Sequence, residues 1–385
     1  MADDLEMQPN FYLIFGCNAY EILRSKQSGM HTRKLLSLFA CLFLTTASIW
    51  SQDIHFTQYN MAPMSLNPAQ IGKFEGTVRI GGIFRGQWAS VLGAGQQFRT
   101  PSVWVDAPII RGFRKRDWVG IGLSVFTDKA GALGMTHNGL KLGAAYHLSL
   151  DKKGNTYLSV GYHFGGEQRK LNPGDRARLE DGFKANGDYG ASAESFATEA
   201  QNYSDNDAGI ALTARLNKRM NFVLGFSMFH LAKPTYTLVK PSASNPGTGT
   251  STATSSSMET LSRRSVASGT FNIQLNDKLT TSPSFLFQTM AGADEIAIQN
   301  MFGYLFNEEK DITLKFGLGY RLGDAAQVLL GYQKKDLQVG FAYDINVSQL
   351  SNQTNYRGGF EIAANYIIKK YKKADPKPKI LCPRF

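Results

Sequence analysis

Apolar and polar residues alternate along most of the chain beyond residue 75. From Ile312 to Leu322 one face carries Ile312, Leu314, Phe316, Leu318, Tyr320 and Leu322, and the other carries Thr313, Lys315, Gly317, Gly319 and Arg321. In Leu337–Ile345 the apolar set is Leu337, Val339, Phe341, Tyr343 and Ile345, opposed by Gln338, Gly340, Ala342 and Asp344. The same pattern places Leu140, Leu142, Ala144, Tyr146 and Leu148 on one face, and likewise Phe360, Ile362, Ala364, Tyr366 and Ile368. A period of two with one apolar face is the signature of a β-strand.

Fourteen segments carry it: about 76–86, 98–107, 117–128, 138–149, 156–166, 207–217, 219–231, 262–275, 279–291, 293–305, 311–322, 325–333, 335–346 and 357–368. Strands of globular proteins are typically about 5–6 residues long, whereas a tilted strand crossing a bilayer needs about 9–11. In lipid only a closed sheet satisfies every backbone group. The expected fold is therefore all-β: a transmembrane antiparallel up-and-down β-barrel of about 14 strands, preceded by a signal peptide.

Connection lengths point the same way. Odd-numbered connections include 87–97, 129–137, 167–206, 232–261 and 347–356, and even-numbered ones are 108–116, 151–155, around 218, 276–278, 306–310 and 334–335. Long connections thus share one end, although the ninth and eleventh are short. Outer-membrane barrels have long external loops and short periplasmic turns, which predicts an outer-membrane location in a Gram-negative bacterium with both termini periplasmic. Residues 172–207 hold eight acidic residues against Arg176, Arg178 and Lys184, and residues 241–260 are a low-complexity Ser/Thr/Gly tract; both read as external loops.

Residues Met30 to Gln52 have a basic start (Arg33, Lys34), an apolar run from Leu35 to Thr46, and then small residues, the layout of a cleaved export signal. The expected organisation is 1–29, a leader or over-extended start; 30–51, the signal peptide; 52–75, a periplasmic N-terminal segment or plug; 76–368, the outer-membrane β-barrel; and 369–385, a basic, Pro-rich periplasmic tail.

Composition narrows the class further. The 385 residues carry a formal charge of +11, are 12% aromatic and only 19% charged, and include 38 Gly. The chain is too aromatic for disorder. Loss of residues 1–51 removes four basic and four acidic residues and leaves the charge unchanged; of the three Cys only Cys382 remains, so no internal disulfide is expected. The excess of positive charge gathers in the even turns, with Arg111, Arg114, Lys115, Arg116, Lys152, Lys153, Lys218, Arg219, Lys334 and Lys335, and in the tail. These are solvated turns or a basic face for an acidic partner or anionic headgroups. No nucleophile elbow, metalloprotease helix or phosphate loop occurs, so no enzymatic activity, cofactor or metal is expected. Nucleic acid is not an expected partner of an exported chain. His147 and His163, on adjacent strands, are placed to face a polar lumen.

Three stretches carry a resemblance. The first runs Gln52-Asp53-Ile54-His55-Phe56-Thr57-Gln58-Tyr59, then Ala62-Pro63 and Leu66-Asn67-Pro68-Ala69. The second is Phe84-Arg85-Gly86-Gln87-Trp88 with Asp128-Lys129-Ala130-Gly131. The third is Tyr343-Asp344-Ile345-Asn346-Val347-Ser348, Arg357-Gly358-Gly359-Phe360-Glu361 and the terminal Cys382-Pro383-Arg384-Phe385. Over about 52–385 the chain resembles the PorP/SprF family of type IX secretion outer-membrane proteins of Bacteroidetes. It departs from the family at Gly86, where Arg-Asn-Gln-Trp is commoner, and in its long Ser/Thr-rich loop.

The resemblance implies a role in protein secretion and, in gliding species, in adhesin delivery. It implies periplasmic machinery proteins and a secreted or surface protein as partners, beside outer-membrane lipid. Candidate partner-binding residues are Phe56, Tyr59, Asn67 and Pro68 before the first strand; Arg85, Gln87 and Trp88 near its outer end; and Cys382, Pro383, Arg384 and Phe385 beyond a Pro/Lys spacer. The alternatives are an outer-membrane porin or hydrophobic-solute channel, and a surface adhesin. Abundant Gly, Ala and Ser on the inward faces leaves the lumen either open or filled.

Overall fold

The computed structural model describes residues 53–89, 91, 97–111, 116–131, 133–172, 200–237 and 259–370. Sixteen strands follow one another: β1 (Val78–Gln87), β2 (Phe98–Arg111), β3 (Trp118–Ala130), β4 (Met135–Ser149), β5 (Thr156–Lys170), β6 (Gln201–Asn217), β7 (Met220–Phe229), β8 (Thr235–Tyr236), β9 (Glu259–Thr260), β10 (Arg264–Gln274), β11 (Leu279–Met290), β12 (Ala293–Asn307), β13 (Ile312–Arg321), β14 (Ala325–Lys334), β15 (Leu337–Asn346) and β16 (Arg357–Ile368). Fourteen of them form one closed barrel, each strand antiparallel to its sequence neighbour; β7 pairs with β10, and β1 meets β16 at the closing seam. The small strands β8 and β9 form a separate two-stranded ribbon in the β7–β10 connection.

The alternation predicts the two faces correctly. Leu140, Leu142, Tyr162, Phe164, Leu314, Phe316 and Leu318 are exposed on the outer surface, while His137, Lys141, His147, His163 and Arg321 are buried on the inside. Lipid, not protein, is the apolar medium that this outer band requires. The connections alternate as expected, with β5–β6 and β7–β10 the long ones at one end and two-residue links such as 218–219 and 335–336 at the other.

Several boundaries need correction: β2 runs on to Arg111 and β4 begins at Met135, inside the connections expected at 108–116 and 129–137. β5 continues to Lys170 and β6 begins at Gln201, so both strands extend into what the sequence reads as an external loop. Asp205 and Asp207, counted there among loop acids, are fully buried strand residues of the lumen. Their alternation with Asn206 and Ala208 carries no large apolar residue, because this end of the wall faces buried charge inside. The proposed leader, the signal peptide, the tip of the Ser/Thr-rich loop and the tail beyond Lys370 lie outside the described residues.

Candidate functional site

Residues 53–73 lie against the inward face of the barrel. They contain short turns only: a 3-10 turn Tyr59–Met61, a single helical turn Pro63–Leu66 and a second 3-10 turn Pro68–Gln70. Pro63 and Pro68 open the last two, where a missing N–H costs nothing. The Asn67 side chain accepts from the Ala69 N–H at 2.8 Å, capping the second 3-10 turn. A backbone this irregular at membrane depth is tolerable only if protein groups meet its polar atoms. The wall supplies them along the whole length.

The segment begins in the half of the lumen next to the long loops. There the Asp53 carboxylate lies 3.1 Å from His230 Nε2 and 3.2 Å from Arg264 Nε, and Arg264 also donates to the Ile54 carbonyl at 2.6 Å. His230 Nδ1 bonds Asp205 at 2.7 Å. Behind it the Lys141 ammonium is held by Glu167 (2.8 Å), Asp205 (3.1 Å) and Asp207 (2.8 Å), all buried. Burial opposes the charge on His230, but the Asp53 and Asp205 carboxylates outweigh it and raise its pKa to about 9. Burial likewise opposes ionisation of Asp53, and Arg264 and His230 overcome it, so its carboxyl stays well below the usual range. Glu167, Asp205 and His230 bring potential metal donors within 4.8 Å of one another. The Lys141 ammonium already supplies positive charge to both of those carboxylates.

A second clasp grips residues 55–58 at the closing seam. Arg85 on β1 stands opposite Glu361 on β16 and pairs with it, and Arg85 also reaches Asp344 on β15 at 3.1 Å. Arg321 on β13 pairs with the same Asp344. Into this square of charges the segment inserts Thr57: its N–H donates to Glu361 at 2.6 Å, its hydroxyl to Asp344 at 2.8 Å, and its carbonyl accepts from Gln299 at 2.8 Å. The Gln58 N–H takes the other Glu361 oxygen at 2.8 Å. Burial lowers the pKa of His55, and the neighbouring Arg85 and Arg321 reinforce this; its Nε2 accordingly lies 3.2 Å from an Arg321 nitrogen as an acceptor.

The remainder of the segment descends towards the short-turn end. Asn67 donates to the carbonyls of Ile210 and Phe226, and Ser227 to that of Leu66. His147 donates to the Ile71 carbonyl, Trp118 to that of Gly72, and the Gly72 N–H reaches Asp106, which Arg79 also holds. Apolar contact fills the gaps: Phe56, Met61, Ala62, Met64 and Ile71 pack with Ile83, Trp104, Ala145 and Ala363, and Tyr59 and Leu66 pack with Phe229, Val266, Leu286 and Ala297. Small wall residues admit the chain. Gly161 and Gly209 are cross-strand partners, and a Cβ on either would overlap Pro68 or Asn67.

Of the residues singled out from sequence, Phe56, Tyr59, Asn67, Pro68 and Arg85 therefore converge on one feature, the buried contact between segment and wall. That surface is already occupied by the chain itself. Gln87 ends β1 opposite Gly359 and Phe98. Trp88 follows with φ 53°, its N–H on the Gly358 carbonyl and its ring edge-on to Phe98 at 5.3 Å. Cys382, Pro383, Arg384 and Phe385 lie outside the described residues. His147 and His163 do face inward, each with its own neighbours: His147 takes Ser159 and Ile71, and His163 lies 3.5 Å from Asp207. Sequence reasoning missed Lys141, Glu167, Asp205, Asp207, His230, Arg264 and Arg321 as functional residues. The available signal was a charge on the polar face of an otherwise apolar strand, as at Arg321 and Asp344.

A closed antiparallel barrel with an apolar outer band and a buried ionic interior gripping its own N-terminal segment defines a transmembrane β-barrel protein. The chain belongs to the family of type IX secretion system membrane proteins PorP/SprF, whose model matches residues 49–366. It is an outer-membrane component of that secretion system. No curated protein is significantly similar to it. Among solved structures it is similar to a Pseudomonas aeruginosa FadL homologue (12% identity, 78% of this chain and 92% of that one, TM-score 0.46), to the Ralstonia pickettii toluene transporter TbuX (12%, 79% and 91%, 0.44) and to the P. putida toluene transporter TodX (11%, 79% and 93%, 0.43). Likeness at this level carries no argument about ligand or mechanism.

Proposed function

We propose that this barrel is a non-enzymatic docking component of type IX secretion. It engages periplasmic machinery through its short basic turns and C-terminal tail, and a secreted or surface protein through its long loops. The observation that carries this reading is the segment 53–73, clasped at Asp53 and at Thr57 and seated at Gly72. A backbone segment clasped across the lumen narrows any open path for a solute, whereas it gives a docking protein a fixed platform. The basic turns, with Lys152, Lys153, Lys218, Arg219, Lys334 and Lys335, add electrostatic attraction for an acidic partner.

The test is a mild-detergent pull-down from native outer membranes, comparing the intact protein with one truncated after Lys370. Recovery of secretion-machine components or of one large secreted protein, lost on truncation, is the expected result. Recovery that survives truncation would move the contact to turns or loops. A barrel that emerges alone and conducts ions in planar bilayers would overturn the docking reading in favour of a channel.

A further inference from the structure

The segment 53–73 crosses the lumen without filling it. Between it and the wall formed by β7 and β10–β15 lies a cavity of about 560 Å³, within the range of about 300–1,000 Å³ usual for ligand sites. Its lining includes Lys218 and Arg219 of the β6–β7 turn and Gln333 and Gln338 beside the β14–β15 turn, so it reaches the short-turn end. Among its described lining residues there are three cations, Lys218, Arg219 and Lys315, and no carboxylate. Elsewhere among the described residues the buried cations Lys141, Arg85 and Arg321 are paired with carboxylates, and Lys73 of the segment, outside this lining, is the buried ammonium that is not.

Of these three cations Lys315 alone belongs to a strand. It sits mid-strand on β13, facing inward, with Gly303 and Gly331 as its cross-strand partners on both sides. A Cβ at Gly331 would crowd the Lys315 stem, so the two glycines clear space around it. Among the described residues its ammonium makes no ion pair or hydrogen bond. An ammonium within the bilayer span that lacks a counter-charge is costly, whereas Lys141, the inward lysine of β4, is held by three carboxylates.

The remaining lining is rich in side-chain amides and hydroxyls. Gln333 and Gln338 face each other across β14 and β15, and neither bonds another described residue. An amide offers a donor and an acceptor side by side, matching a peptide group. No aromatic ring belongs to the described lining, which removes the stacking surface a sugar ring would use. We propose that this cavity is a binding site for an extended acidic peptide segment entering from the short-turn end, one carboxylate seated on Lys315 and its backbone on the surrounding amides. The site stands whether or not the barrel docks secretion machinery.

The test uses the full-length protein purified in detergent and a dye-labelled, end-blocked peptide Gly-Ser-Glu-Ser-Gly, compared with its Gln analogue by fluorescence anisotropy. The Glu peptide is expected to bind about tenfold or more tightly than the Gln peptide, the scale of one charge-assisted hydrogen bond. Lys315→Gln should abolish the difference and Lys315→Arg should retain it, with heat-modifiable gel mobility confirming a folded barrel. Equal affinity of the two peptides for the unaltered protein would overturn the proposal without any variant. So would a preference that survives Lys315→Gln, or no binding of either peptide at millimolar concentration.

Discussion

The ionic residues of the lumen set the strength with which the N-terminal segment is held. Glu361 is 1% exposed and accepts from two backbone N–H groups while facing Arg85. Removing one partner of a buried pair leaves the other charge uncompensated, at a cost of about 3–5 kcal/mol. Glu361→Gln is expected to lower stability on that scale, read as a fall in the temperature at which the barrel loses its compact gel mobility. Asp344→Asn should do the same, since Asp344 serves both Arg85 and Arg321. The contact of Asp53 with His230 is expected to be pH-sensitive in a defined window. His230, raised from 6.5 to about 9, contributes stability that is complete below pH 6.5 and is lost as pH rises through 9. Asp53, lowered from 3.8, contributes above that value and loses its contribution as pH falls through its lower folded pKa. The groups that face His230 are Asp53, Asp205 and Asp207, with Arg264 and Lys141 behind them. Protease protection of residues 53–59 is therefore expected at pH 6–7 and to diminish at pH 10. His230→Gln should remove the alkaline loss.

Among the elements, the strands were legible and the segment was not. Alternation of Leu140, Leu142 and Ala144 against Lys141 and Gly143 assigns β4 and its inward face without further information. It fails where both faces are polar, which is why β6 begins earlier than its apolar residues and why Asp205 and Asp207 read as loop. The segment defeats pattern reading for another reason: Phe56, Tyr59, Asn67 and Pro68 have no period, and their partners lie far away in sequence on most of the strands. Even the wall glycines Gly161 and Gly209 are ambiguous in sequence, since a small residue suits an empty lumen as well as a filled one. In the structure they form a seat. Gly161→Leu or Gly209→Leu is expected to dislodge Asn67 and Pro68, exposing the segment to limited proteolysis while the barrel keeps its gel mobility, because the added side chain points inward and leaves the strand ladder intact.

For the whole molecule, the segment separates two states of the lumen. Deleting residues 53–73 should remove the backbone that crosses the barrel and raise single-channel conductance in planar bilayers, with a lower melting temperature from loss of Phe56, Met64 and Ile71 burial. An unchanged conductance would mean that other parts of the chain close the lumen. The electrostatic contrast between the ends has its own readout. Under the proposed docking, association of an acidic partner with the basic turns should weaken as salt is raised, because exposed charges are screened within about 10 Å at 0.1 M. The paired charges around Thr57 and Lys141, shielded by the wall, should retain their grip under the same conditions.

The clasp around Thr57 at the closing seam also has a consequence for how the protein matures. Arg85 and Glu361 belong to the first and last barrel strands, and they come face to face only when β1 and β16 zip together. Thr57, less than 30 residues upstream of Arg85, must already be inside when that happens, since its ligands come from both sides of the seam. Threading it afterwards through a finished cylinder would mean passing Asp53 and His55 between closed ion pairs. Capture of the N-terminal segment is therefore expected no later than closure of the barrel. A barrel assembled without the segment would carry four buried charges at and beside its seam with the Thr57 bonds unmade, so its first and last strands are expected to be held together less firmly.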